Sequence, residues 1–188
     1  MQNFDEAKII QNIQAGNAQD FGILYDAYVK KIYNFVYFRT HHKETSEDLT
    51  SQVFFKALEK IRQFNIERGS FSSWIYRIAR NAIIDQYRMK KDDAIFEDAL
   101  EVKKTDDIEK DIDNKNVMAE IEKYLDTLKP EQKEIIIMRV WDELSYQEIA
   151  EITGKSIGSL KMMFSRTISD LRRELPLALY IVLIIRSI

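Results

Sequence analysis

The stretch from Trp141 to Arg166, WDELSYQEIAEITGKSIGSLKMMFSR, constrains this chain more tightly than any other. Ser145 and Glu148 form a capping box, and Leu144 and Ile149 stand at the two positions of a hydrophobic staple. A helix therefore starts at Tyr146, and Gly154 supplies the turn residue that ends it. Ser156 is placed to cap a second helix that carries Leu160 inward and Ser159, Lys161 and Arg166 towards solvent. Ala150, four residues before Gly154, is small enough for two helices to cross closely. The pattern is that of a helix–turn–helix, which lays its second helix in the major groove of duplex DNA. An ordinary helical hairpin in a bundle core is the alternative that this segment alone leaves open.

Elsewhere punctuation is scarce. The 188 residues include only 5 Gly and 2 Pro while 45% are apolar, a balance that favours helices with short connections over an all-β fold. The absence of cysteine excludes a disulfide framework and thiolate metal sites, and it suits a reducing, cytoplasmic setting. The opening MQNFDEAKII carries an early acidic pair and no long apolar run, so no signal peptide is expected.

A net charge of −3 looks wrong for a nucleic-acid binder, but the charges are segregated and a local patch decides binding. Nine basic residues between Lys56 and Lys91 face three acidic ones, Glu59, Glu67 and Asp85, for a local net of +6. From Asp92 to Asp126 the sign inverts. Lys155, Lys161, Arg166, Arg172 and Arg173 turn it basic again. Two basic lobes are thus joined by an acidic strap.

Phe21, Leu24, Tyr25, Tyr28, Ile32, Phe35 and Val36 recur at helical spacing, with Asn17 placed to cap this helix behind Gly16. A polar break holds His41 and His42. Thr45 and Asp48 make a second capping-box pattern, opening a helix with Leu49, Val53, Ala57, Leu58 and Ile61. The loop FNIERGS precedes a third helix that turns Trp74, Ile75, Ile78, Ala79, Ala82 and Ile83 inward. Arg77, Arg80, Asn81 and Arg88 lie on its more polar faces. A three- or four-helix N-terminal domain follows from these elements.

Residues 92–115 lack an apolar period and are expected to be a linker. Val117, Ile121, Tyr124, Leu125 and Leu128 restore one. Pro130 suits the first position of the next helix, with Glu131 favourable in its first turn, and that helix runs through Ile135, Ile136 and Met138. After Pro176 the chain ends in PLALYIVLIIRSI, whose apolar centre from Leu177 to Ile185 would span roughly 14 Å as a helix, about half a bilayer core. It cannot cross a membrane alone. Packing on its own domain, docking on a partner protein and interfacial membrane contact are its three readings.

Catalysis is poorly supported. His41 and His42 lack a companion at metal-ligand spacing and suit a solvated loop. Asp85 is explained by pairing with Arg88 or Arg80 more simply than by a metal. No phosphate-cradling glycine loop, nucleophile elbow or zinc spacing is present. No enzyme activity, cofactor or metal is expected; a helical metal enzyme using His41, His42 and Asp85 is the weakest alternative. Nucleic-acid contact has two candidate surfaces. One is the helix–turn–helix. The other is Phe64–Arg88, where Phe71, Trp74, Tyr76 and Tyr87 interleave with basic residues, a composition that can stack unpaired bases while arginines hold the backbone. Trp74, at helical spacing with Ile75 and Ile78, suits a core position better than a stacking platform. A stand-alone transcriptional regulator would need only the first surface.

The order Phe71-x-x-Trp74-Ile75-x-x-Ile78-Ala79-Arg80-Asn81-x-x-x-Asp85-x-x-Arg88, an acidic linker, Leu125-x-x-Leu128 and then the helix–turn–helix resembles a bacterial RNA polymerase sigma factor. The likeness is to the two-domain, extracytoplasmic-function type and covers about residues 18–175. It implies an all-α fold of an N-terminal helical bundle (1–91) and a C-terminal four-helix domain (116–175), joined by the linker (92–115), with the apolar tail (176–188) outside it. It implies core polymerase contact through Glu47, Asp48, Ser51 and Gln52 on the Asp48-Leu49-x-x-x-x-Phe54 helix. Capture of the single-stranded minus-ten element would fall to Asn65, Arg68, Ser72, Arg77, Arg80, Asn81 and Arg88. Reading of the minus-thirty-five duplex would fall to Ser156, Ser159, Lys161 and Arg166. The implied partners are the clamp of the polymerase's largest subunit, the flap of the second-largest, promoter DNA and an anti-sigma factor. Two departures stand out. Ser51-Gln52 replaces a usual Gln-acid pair, and Ser159-Leu160-Lys161-Met162-Met163-Phe164 replaces a usual Thr-Val-Lys-Ser-Arg-Leu. Met163 thereby removes a basic residue and is expected to add packing instead.

Overall fold

The computed structural model describes residues 5–93 and 123–174, which fall in two compact units. Among the described residues every regular element is helical. The expected linker beyond Asp93, Val117, Ile121 and the apolar tail lie outside the described residues.

In the first unit, α1 (Glu6–Gln14) is capped by Asp5, whose carboxylate accepts from the Lys8 amide at 3.1 Å. Sequence spacing does not predict this short helix. A 3₁₀ turn, Ala18–Asp20, leads into α2 (Phe21–Thr40). Asn17 therefore does not cap α2 as expected; it stands ahead of the turn, and its amide donates to Asp20 at 2.9 Å. Two histidines stop one helix and start the next. His41 sits at φ 48°, in the left-handed region that ends helices, and its N–H bonds the Tyr37 carbonyl. The extended His42 then caps α3 (Lys43–Lys60), its Nδ1 accepting from the Thr45 amide at 3.2 Å. The cap falls three residues before the expected Thr45, because an imidazole nitrogen supplies the acceptor. Neither histidine sits in a solvated loop; both are half-buried cap residues.

Helices α2 and α3 pack on each other and on α4 (Phe71–Asp93), which continues two residues into the stretch expected as linker. Leu24, Ile32, Phe35 and Val36 meet Leu49, Val53 and Ala57 and the Phe71, Ile75, Tyr76 and Ala79 row of α4, all buried. Edge-to-face ring pairs join the helices, Phe35 with Tyr76 at 5.0 Å and Tyr28 with Phe71 at 5.4 Å, each adding about 0.5–1.5 kcal/mol beyond area burial. Leu58, expected to point inward, is exposed. It lies on the flank of α3, about 100° round the helix from the buried Ala57.

The second unit holds a helix described over 123–127 (α5), α6 (Pro130–Ile136), α7 (Tyr146–Thr153) and α8 (Ile157–Glu174). Pro130 takes the first position of α6 as expected, and Gln132 reaches back to accept from the Lys129 amide at 3.2 Å. Ile135, Ile136, Ile137 and Met138 are all buried in succession, so this helix is surrounded rather than one-sided. It loosens into a π turn over Ile137–Trp141, closed by the Asp142 amide on the Ile137 carbonyl at 3.2 Å. Glu143 follows at φ 57°, in the left-handed region.

Candidate nucleic-acid interface

The helix–turn–helix forms as its local chemistry dictates. Ser145 Oγ accepts from the Glu148 amide at 3.2 Å and the Glu148 carboxylate accepts from the Ser145 amide at 2.9 Å, closing the capping box. Gly154 ends α7 at φ 73°, with its N–H on the Ala150 carbonyl. No atom lies within 4 Å of the place a Cβ would take, so the turn needs glycine for its backbone angle and not for space. Ser156 Oγ then accepts from the Ser159 amide at 3.3 Å and starts α8. The turn spends three residues, and its backbone and capping bonds span four residues or fewer.

Leu160, Thr167 and Leu171 form the buried stripe of α8. At 100° per residue, Ser159 and Arg166 occupy one flank of that stripe and Lys161 the other. The structure therefore leaves all four predicted contacts exposed but does not gather them on one face. The centre of the solvent face is the line Gly158, Met162, Ser165 and Ser169, with Met162 exposed at 52%. Sequence reasoning misses Met162, although its spacing from the buried Leu160 places it outward. Met163 is half-buried and lines a shallow cleft with Ser159, Arg166, Lys129 and Gln132, so it serves a surface as much as a core. Tyr146 is the other residue the sequence does not single out. Its ring has Lys161 Nζ 5.8 Å from the centroid, Arg139 at 5.3 Å and the Phe164 ring edge-on at 6.1 Å. These cation–π contacts hold Lys161 against the unit. Lys155, by contrast, is tied to Glu131 at 3.0 Å.

The first unit presents its basic helix differently. Arg77, Asn81, Asp85 and Arg88 follow at i, i+4, i+8 and i+11, one exposed stripe along α4, with Arg80 half-buried beside it. Asp85 lies 3.9 Å from Arg88, a loose exposed pair worth little, and it is this arginine rather than Arg80 that it meets. The connection from α3 to α4 comprises 3₁₀ turns at Ile61–Gln63 and Ile66–Arg68. Asn65 caps the second, accepting from the Glu67 amide at 2.9 Å, and leaves Arg68 exposed. Ser72 is buried, unlike the other expected contacts, because it falls on the inner side of the first turn of α4. The aromatic residues divide. Phe71 and Tyr76 are core, Trp74 is half-buried against Phe64 with centroids 5.1 Å apart, and Tyr87 is exposed with its hydroxyl donated to the Arg39 carbonyl.

On α3 the exposed Glu47, Asp48, Ser51 and Gln52 share one side within about 140° of arc. Phe55 lies within that same side and is exposed at 64%, with Leu58 beside it. The adjacent Phe54 and Phe55 hide this in the sequence, since one is core and the other surface. Burial raises the Tyr33 phenol above its ordinary value, and the Glu47 carboxylate adds to the shift, which sets Glu47 beside α2. Among the described residues no cluster of three or more His, Asp or Glu side chains could hold a metal ion, and no helix is long and apolar enough to cross a membrane.

An exposed helix–turn–helix in one unit and an exposed basic stripe beside a half-buried aromatic cluster in the other define a two-unit, all-helical nucleic-acid-binding protein. The sequence models described as Sigma-70 region 2 and Sigma-70, region 4 match residues 24–92 and 118–171. The chain is 32% identical over 176 residues to the ECF RNA polymerase sigma factor BldN of Streptomyces coelicolor, an alignment covering 90% of this chain and 65% of BldN. It is 30% identical over 181 residues to the ECF RNA polymerase sigma factor SigW of Bacillus subtilis, covering 89% of this chain and 95% of SigW. The sigma factor RpoE, in its co-crystal structure with the anti-sigma factor NepR from Bartonella quintana, shares the fold. Its TM-score is 0.70 at 23% identity, over 82% of this chain and 96% of that one. The chain belongs to the extracytoplasmic-function sigma factors of RNA polymerase.

Proposed function

We propose that this sigma factor acts in the cytoplasm by docking on core RNA polymerase through α3, capturing the opened minus-ten strand on α4, and reading the minus-thirty-five duplex with α8. The observation that carries the proposal is the pairing in one chain of two exposed, chemically different surfaces. The α4 stripe offers guanidinium groups for phosphates and the Asn81 amide for the edge of an unpaired base, as single strands require. The start of α8 offers small polar groups and flanking cations, as a major groove and its phosphates require. Extruding and unpairing a base costs a few kcal/mol, which contacts made only to the open strand would offset. On this reading the chain makes and breaks no bond; polymerase supplies the chemistry. The exposed Glu47, Asp48, Ser51, Gln52 and Phe55 side of α3 suits the clamp of the largest subunit. The same side, or the surface of α8, is where an anti-sigma partner would compete.

Reconstituted transcription tests the proposal. The chain should co-purify with core polymerase and direct initiation from a subset of promoters in a genomic pool; no initiation from any of them would sink it. Lys161→Ala should weaken minus-thirty-five duplex binding and lower the salt slope by about one. Asn81→Ala should impair strand opening, read by permanganate reactivity, while leaving duplex binding intact. Normal opening by Asn81→Ala would displace the proposed strand-capturing surface from α4.

A further inference from the structure

The loop Phe64–Gly69 carries Asn65 and Arg68 to the surface, yet within its own span it has only the Asn65 cap and single-turn backbone bonds. Two remote contacts hold it. From one side, the Phe64 ring packs on Phe71 at 6.0 Å and on Trp74 at 5.1 Å. From the other side, α1 reaches it. The Gln14 side-chain amide donates to the Ile61 carbonyl at 2.9 Å and to the Phe64 carbonyl at 2.7 Å, across 47 and 50 residues of sequence. Two carbonyls facing one carboxamide admit only its NH₂ end, so the orientation of the side chain is decided by the contacts themselves. The two hydrogens of that group are both used, and each bridges the turn that sets where Asn65 leaves the chain.

We infer that Gln14 is a positioning residue for strand capture: helix α1, which precedes the residues matched by the region 2 family, fixes the α3–α4 loop in its single-strand-binding conformation. Several further contacts make α1 rigid enough for the task. Ile10 and Ile13 are buried, Asn12 donates to Asp20 at 2.9 Å, and the Tyr28 hydroxyl donates to Glu6 at 2.6 Å. Gln14 itself is half-buried, which shields its two bonds from exchange with water. Between α1 and the loop lies a groove lined by Gln11, Gln14, Arg62 and Asn65. Any shift of the Phe64 carbonyl would move Asn65, its neighbour in the chain. The functional half of this inference rests on the strand-capture reading above.

The test compares Gln14→Glu with Gln14→Lys in the full chain. Glutamate has the shape of glutamine but turns acceptors towards two carbonyls; lysine keeps donors of sufficient reach. Gln14→Glu should raise amide hydrogen exchange at residues 61–69 at least tenfold in the free chain, and Gln14→Lys should restore protection to within about threefold. With core polymerase, on a promoter the unaltered chain opens, Gln14→Glu should slow opening at least tenfold while core affinity and minus-thirty-five duplex affinity stay within twofold. Unchanged exchange in Gln14→Glu overturns the tether. Raised exchange with normal opening overturns its role in capture, and a parallel loss of core binding reduces Gln14 to a general stability residue. The exchange measurement needs no promoter, so it stands even where the unaltered chain opens none.

Discussion

The two connections that present the nucleic-acid-facing helices are built in opposite ways. Between α7 and α8, three residues set the turn through one left-handed glycine and one serine cap, every backbone and capping bond is local, and the Lys155–Glu131 ion pair is added from outside. Between α3 and α4, ten residues are held by the Phe64 ring against Phe71 and Trp74 of α4 and by a glutamine 47 and 50 residues away in sequence. A locally determined turn keeps its geometry as long as its own few residues are intact. A remotely held loop inherits its geometry from the domain core and from α1, so it can be loosened by changes far from it.

Breaking the remote support should have the largest effect. Phe71→Ala removes a fully buried ring that touches Phe64, Trp74 and Tyr28, and should destabilise the first unit by about 3–5 kcal/mol, measured by denaturant unfolding of the full chain. A loss under about 1 kcal/mol would mean the ring cluster does not organise the loop. Gly154→Ala attacks the local turn. With open space around the Cβ, its cost is backbone strain alone, about 1–2 kcal/mol, confined to the second unit and accompanied by weaker duplex binding. If α7–α8 unfolds outright, the turn depends on more than its own angles. The smallest change is a gain. Glu143 holds φ 57° without glycine's freedom, so Glu143→Gly should stabilise the second unit by about 0.5 kcal/mol, a small rise in its melting midpoint.

The same contrast explains what the sequence disclosed. Ser145, Glu148, Gly154 and Ser156 act on neighbours within four residues, so their spacing alone places α7 and the start of α8. The long apolar rows of α2 and α4 announce themselves by period. Helix α1 does not, because nine residues with two buried isoleucines make too short a row. The cap of α3 is misplaced by sequence because Thr45 and Asp48 imitate a capping box, while the acceptor is the ring of His42. Among the site residues, exposure of Arg77, Asn81, Arg88, Lys161 and Arg166 follows from helical phase. The burial of Ser72 follows from it too, since Ser72 shares the phase of the buried Tyr76, Ala79 and Ile83. The tether from Gln14 does not, since it depends on which helix passes opposite. The exposed Phe55 and Met162 are hidden because composition assigns such residues inward by default.

The π turn at Ile137–Trp141 has a bearing on how this chain can be compared with others. Such a turn accommodates one residue more than an α-helix would between the same two end points. A relative lacking that residue could close the same span as plain α-helix and keep both Ile136 and Leu144 in their places. Residues before and after the turn are then best counted from separate origins. A single-residue gap opened there would bring the two frames into register, whereas a gap placed in α7 would falsely rotate the whole recognition element by a quarter turn or more.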